Sequence, residues 1–63
     1  MADSMATYMT EDEVAEYIRT PTETLRYFRR VRKGPRSFKI GRRVLYDLTD
    51  VDAWLQQQKA AAS

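Results

Sequence analysis

By the spacing of its apolar residues, the chain divides into three helical stretches and one stretch of period two. From Glu11 to Ile18, the residues Val14, Ala15, Tyr17 and Ile18 supply one apolar face. Thr10 stands at the cap position, Glu13 completes a capping box, and Met9 is placed to staple onto Val14. The next stretch, residues 21–33, sends Leu25, Phe28 and Val31 to one side. Thr20 as cap, Pro21 in the first turn and Glu23 at the box position mark its start. Arg32 and Lys33, followed by Gly34-Pro35, mark its end.

Residues 37–46 alternate. Phe38, Ile40, Val44 and Tyr46 fall on one face if the strands join through a three-residue tip, Gly41-Arg42-Arg43. That register pairs Ile40 with Val44 and Phe38 with Tyr46, and leaves Leu45 pointing outward without a reason. The third helix is predicted over residues 50–58, with Thr49 as cap, Asp52 at the box position and Val51, Trp54 and Leu55 as its core stripe.

Two short amphipathic helices separated by a tight turn make a helix-turn-helix pattern. With the hairpin as a wing and a closing helix, the expected fold is mainly α with a small β-hairpin, a winged helix-turn-helix. Residues 1–7 are expected as a flexible arm or an appended remnant, 8–58 as the domain and 59–63 as a disordered tail.

The second helix carries more than a core stripe. Glu23, Arg26, Tyr27 and Arg30 follow one another at helical spacing on the face opposite Leu25 and Phe28. Arginines interleaved with a tyrosine and a glutamate suit a nucleic-acid groove, which makes this the candidate recognition helix. Charge along the chain supports that reading. Residues 1–16 hold Asp3, Glu11, Asp12, Glu13 and Glu16 and no base. Residues 17–46 hold every arginine, together with Lys33 and Lys39, against Glu23 alone. A net charge of +2 thus conceals a basic middle and an acidic back, the footprint of a polyanion binder.

At 63 residues there is room for one domain with a small core, burying only about 60% of its unfolded surface. The absence of cysteine and histidine removes disulfides, thiolate zinc sites and the commonest general base. Asp47, Asp50 and Asp52 lack the glycine and closing glutamate of a calcium loop and suit helix capping instead. Ser37 has no histidine to activate it, and there is no Gly-rich phosphate loop. No enzyme, metal, cofactor or small-molecule ligand is expected, and no apolar run reaches membrane-spanning length. A cytoplasmic protein is expected. Outside DNA binding, the rival reading is a protein-interaction module whose acidic first helix docks a partner.

Tyr8-Met-Thr-Glu-Asp-Glu-Val-Ala-Glu-Tyr-Ile18, Thr24-Leu25, Phe38-Lys-Ile-Gly-Arg-Arg43 and Asp52-Ala-Trp-Leu55 resemble the excisionases, the recombination directionality factors of phages and mobile elements. Glu23-Thr-Leu-Arg-Tyr-Phe28 is also similar to the opening of MerR-type regulators, and small AlpA-type regulators share the pattern. The resemblance implies a non-enzymatic protein, nucleoid-associated in a bacterial host, that binds and bends double-stranded attachment-site DNA. It also implies neighbouring copies of itself on the DNA and a tyrosine integrase as partner. Carried over by position, the DNA-facing residues are Glu23, Arg26, Tyr27 and Arg30, flanked by Thr22 and Arg29, with Lys39, Arg42 and Arg43 on the wing. The alternative is a small MerR/AlpA-like transcriptional regulator. The chain departs from the pattern at the turn, where Arg19 replaces the usual glycine and Pro21 the usual serine cap.

Overall fold

Thr10 closes a strand and opens a helix. Its hydroxyl accepts the Glu13 backbone N–H at 3.2 Å, and the Glu13 carboxylate accepts the Thr10 N–H at 2.8 Å, so the expected capping box is formed. The computed structural model describes residues 7–62. In order they form β1 (Tyr8–Thr10), α1 (Glu11–Tyr17), α2 (Thr22–Val31), β2 (Ser37–Ile40), β3 (Arg43–Asp47) and α3 (Leu48–Ala62). The expected arm, residues 1–7, lies outside the described residues except for Thr7, whose carbonyl accepts the Leu48 N–H at 2.8 Å. The architecture is the expected one, three helices with a small antiparallel wing.

The wing is part of a three-stranded antiparallel sheet with β3 in the middle. Nothing in Tyr8-Met9-Thr10 announces β1, since three residues are too few to display a period. The hairpin register also differs from expectation. Ile40 lies opposite Arg43, Lys39 opposite Val44, Phe38 opposite Leu45 and Ser37 opposite Tyr46. The tip is therefore the two residues Gly41-Arg42, with Gly41 at φ 62° and Arg42 outside the positive-φ region. Glycine first is the pattern of a tight two-residue turn whose twist suits a hairpin.

A one-residue shift moves side chains to the other face. Phe38 and Ile40 leave the core side and join Leu45 and Tyr8 on the outer face, where the Tyr8 and Phe38 rings meet edge-on at 5.7 Å. The physical reason lies in β1, which sets Met9 opposite Tyr46 and supplies the inner apolar residue that Phe38 was expected to be. Leu45 points outward as expected, and its neighbours on the outer face now account for it.

Val14, Ala15, Leu25, Tyr46 and Val51 form the core, with Met9, Ile18, Phe28, Val44 and Leu55 packed around it. Two further residues expected in the core are not there. Val31 is 37% exposed, and Tyr17 is 47% exposed with its hydroxyl donating to Asp52 Oδ1 at 2.6 Å. That hydrogen bond raises the Tyr17 phenol above its ordinary pKa. Asp52 thus serves a tertiary contact rather than a capping box. Trp54 is half-buried, its ring 6.1 Å from Phe28 and its indole N–H donating to the Lys33 carbonyl at 3.0 Å. It clasps α3 to the end of α2.

Helix boundaries shift where caps differ from expectation. Thr20 does not cap α2, because its hydroxyl donates back to the Ile18 carbonyl at 3.1 Å. Pro21 takes the cap position, and its carbonyl accepts the N–H groups of Thr24 and Leu25. The helix begins at Thr22 rather than at 21. It ends at Val31 because Arg32 turns left-handed, while Gly34 serves close packing instead, since a Cβ there would stand 2.8 Å from Phe28 Cβ. The last helix starts at Leu48, two residues early, with Asp47 Oδ1 accepting the Thr49 N–H at 2.9 Å in place of the expected Thr49 cap. It runs to Ala62 through residues expected in the tail, and Ser63 lies outside the described residues.

Candidate nucleic-acid interface

The sharp turn between α1 and α2 fixes how the second helix is presented. The Arg19 N–H bonds the Glu16 carbonyl at 3.1 Å and the Thr20 N–H bonds the Ala15 carbonyl at 2.9 Å, a closure that requires Arg19 at φ 56°. With Leu25 turned into the core at 1% exposure, the opposite face of α2 points outward. Glu23, Arg26, Tyr27 and Arg30 are all exposed on it. The Arg30 guanidinium carbon lies 5.7 Å from the Tyr27 ring centroid, close enough for a cation–π contact that biases the arginine's direction.

The wing approaches the same face. Arg42 and Arg43 share with Arg26 a shallow recess of about 400 Å³, completed by Thr10, Glu11, Asp12 and Val44. Lys39 is exposed further along β2. Arg26 of α2 thus shares one recess with the wing tip, and helix and wing stand side by side, the juxtaposition that reading a groove and its flanking phosphates requires.

Two residues of the expected set stand apart. Thr22 is half-buried, with its hydroxyl 3.4 Å from Asp12 Oδ1. Arg29 is turned inward: its Nε donates to Glu11 Oε2 at 3.1 Å and Nη2 reaches Oε1 at 3.5 Å. The Tyr46 hydroxyl donates to the same Oε2 at 3.2 Å. Hydrogen bonding to Glu11 raises the Arg29 pKa, and burial pushes the Tyr46 phenol up to about 12, with the Glu11 carboxylate adding to it. Glu11 also stands 3.7 Å from Arg26 Nε.

Sequence reasoning missed this role for Glu11. It assigned all the early acids to an acidic back, but they divide. Glu11 and Asp12 border the basic recess, whereas Glu13 and Glu16 line a separate open groove with Tyr8, Met9, Tyr17 and Leu48. The Glu11 carboxylate at the edge of this recess is neutralised by Arg29. No spacing rule signals a partner 18 residues away.

Among the described residues, no group of three or more acids, histidines or cysteines is placed to hold a metal, and no helix is long and apolar enough to cross a membrane. A family model described as a helix-turn-helix domain matches residues 8–59. No curated protein and no solved structure gives a significant match.

Proposed function

The chain belongs to the helix-turn-helix domain family, and from that premise we propose that it is a sequence-specific double-stranded DNA-binding protein acting as an excisionase. The observation that carries the DNA-binding part is the exposed Glu23, Arg26, Tyr27 and Arg30 face of α2 in one surface with wing residues Arg42 and Arg43. The major groove of B-DNA, about 12 Å wide, admits a helix. Arg26 and Arg30 then reach guanine edges or phosphates, Glu23 accepts from a cytosine amino group, and Tyr27 offers its ring to a thymine methyl. Lys39, Arg42 and Arg43 take backbone phosphates beside the groove.

The excisionase role rests on the resemblance of residues 8–55. In it, adjacent copies bend an attachment site so that a tyrosine integrase excises rather than integrates. One module of this size buries roughly 600–1,000 Å², little surface against a bending cost on the order of 1–6 kcal/mol, which favours several copies per site. Footprinting and circular-permutation gel shifts across an attachment site, at several salt concentrations, test it. Successive protected segments with a growing bend angle are expected. A single bound species without bending would instead identify a small regulator that occludes a promoter. Absence of salt-sensitive binding to any duplex would remove DNA as the partner.

A further inference from the structure

Both helices of the helix-turn-helix close in the same way, and both place an arginine where glycine is favoured. In α2 the Arg32 N–H bonds the Arg29 carbonyl at 3.3 Å and the Lys33 N–H bonds the Phe28 carbonyl at 2.9 Å, with Arg32 at φ 59°. A side chain in that left-handed conformation carries a steric penalty that glycine escapes. The chain uses glycine only two residues later, at Gly34, for close packing against Phe28. A residue held in a strained conformation invites a search for what its side chain does.

The Arg32 side chain borders a recess of about 530 Å³ at the corner between α2 and β2, with Phe28, Arg29, Gly34, Pro35, Arg36 and Ser37. Three arginines line it. Arg29 is occupied by Glu11, but among the described residues no carboxylate pairs with Arg32 or Arg36. A helix C-terminus ordinarily repels anions through its free carbonyls. Here the closing bonds occupy the Phe28 and Arg29 carbonyls, and the Trp54 indole takes the Lys33 carbonyl at 3.0 Å. The recess adds the charge of Arg32 and Arg36, the Ser37 hydroxyl and a concave shape. Paired guanidinium forks match the oxygens of a phosphate.

We propose that this corner is a phosphate pocket with Arg32 and Arg36 as its ligands, and that it holds a backbone phosphate of the bound DNA beyond the reach of the α2 stripe and the wing tip. The assignment rests on the DNA-binding reading and adds a third anchor to it. The ligand chemistry is a phosphate oxygen, which free inorganic phosphate shares.

Arg32→Gly tests the pocket, because glycine suits φ 59° and retains the helix closure. The variant should melt at or above the parent's temperature. It should still bind DNA more weakly on every sequence, with the slope of log affinity against log salt smaller by about one. Arg36→Ala should weaken DNA binding in the same uniform way at unchanged melting temperature. Inorganic phosphate, titrated into the free protein, should shift the Nε–Hε resonances of Arg32 and Arg36. DNA binding by Arg32→Gly with the parent's affinity and salt slope overturns the proposal, as does a variant that fails to fold. Phosphate-dependent shifts without any effect of either variant on DNA binding would assign the pocket to free phosphate and overturn the DNA contact. A parent chain that does not bind DNA at all defeats the proposed function itself, an outcome visible before either variant is made.

Discussion

Glu11 and Arg29, 18 residues apart in sequence, meet through a 3.1 Å hydrogen bond beneath the basic face, and the Tyr46 hydroxyl closes on the same carboxylate oxygen at 3.2 Å. The Glu11 side chain is only 14% exposed, so the partners it has lost to water must come from these two groups. The contact ties the start of α1 to the last turn of α2 and to the central strand. It also silences a negative charge 3.7 Å from Arg26.

Arg29→Ala should therefore act on both folding and binding. Leaving a largely buried carboxylate with the Tyr46 hydroxyl as its one remaining hydrogen-bond donor costs about 1–3 kcal/mol of stability. The uncovered charge beside Arg26 should weaken DNA affinity as well. Glu11→Ala should lose comparable stability in a thermal melt but bind DNA as well as the parent or better in low salt. Equal losses of affinity in the two variants would mean that the pair acts by positioning α2 and not by covering the Glu11 charge.

The exposed stripe predicts the opposite division. Arg26→Ala and Arg30→Ala remove groups that lie outside the core, so unfolding free energies should stay within about 0.5 kcal/mol of the parent. Each should weaken specific binding by about 1–3 kcal/mol if the arginine reads a base edge, and relax preference at one position of the site. Selection from randomised duplexes measures both effects. Unchanged affinity in both variants at about 150 mM salt removes α2 as the reading face.

On the wing, Arg42→Ala combined with Arg43→Ala should lower affinity evenly across sequences. The salt slope should fall by up to about two, because each lost phosphate contact removes about one counterion. Both residues are exposed and neither packs in the core, so the melt should not move. A sequence-dependent loss would place one of them on a base edge instead.

What could be read in advance was what the chain encodes locally. The Thr10–Glu13 box, the Leu25 and Phe28 stripe and the position of the hairpin each depend on residues a few places apart. The stripe of Glu23, Arg26, Tyr27 and Arg30 was legible for the same reason, because helical spacing alone puts those residues on one side. The hairpin register was not, because β1 decides it by supplying Met9 across from Tyr46. Nor was the inward turn of Arg29, whose partner sits at the other end of the helix pair. Trp54 looked like a core residue by its spacing. Its position at the seam, with the indole N–H on Lys33, depends on where α2 stops, and that is set by the left-handed turn at Arg32.

Alkaline pH should expose the Tyr46 contact. A phenol in the unfolded chain releases its proton near pH 10, whereas buried Tyr46 holds it until about 12. Between those values the folded state binds more protons than the unfolded state, so stability falls as pH rises, and below pH 10 the contribution is fully present. Tyr17, raised by its bond to Asp52, adds in the same direction. Melts from pH 8 to 11 should show a declining limb that Tyr46→Phe flattens. That variant should also lose about 1.5–3 kcal/mol at neutral pH, the worth of a hydrogen bond to a charged acceptor. An unchanged limb in Tyr46→Phe would place the alkaline titration elsewhere.

The turn offers a gain rather than a loss. Arg19 stands where the resembling proteins have glycine, and its φ of 56° shows why glycine fits there. The closing bonds from Arg19 to Glu16 and from Thr20 to Ala15 need only the backbone, so Arg19→Gly retains them and sheds the steric penalty on Cβ. Against that relief stands the greater freedom of an unfolded glycine, worth about 0.4–1 kcal/mol in the other direction. The steric term, at about 1–2 kcal/mol, is the larger. A net gain of up to about 1 kcal/mol should follow, a rise of several degrees in melting temperature for a domain this small. Arg19→Ala retains the left-handed strain and loses the charge, so it should melt like the parent. If Arg19→Gly melts lower than Arg19→Ala, the arginine side chain stabilises the turn through contacts that outweigh its strain.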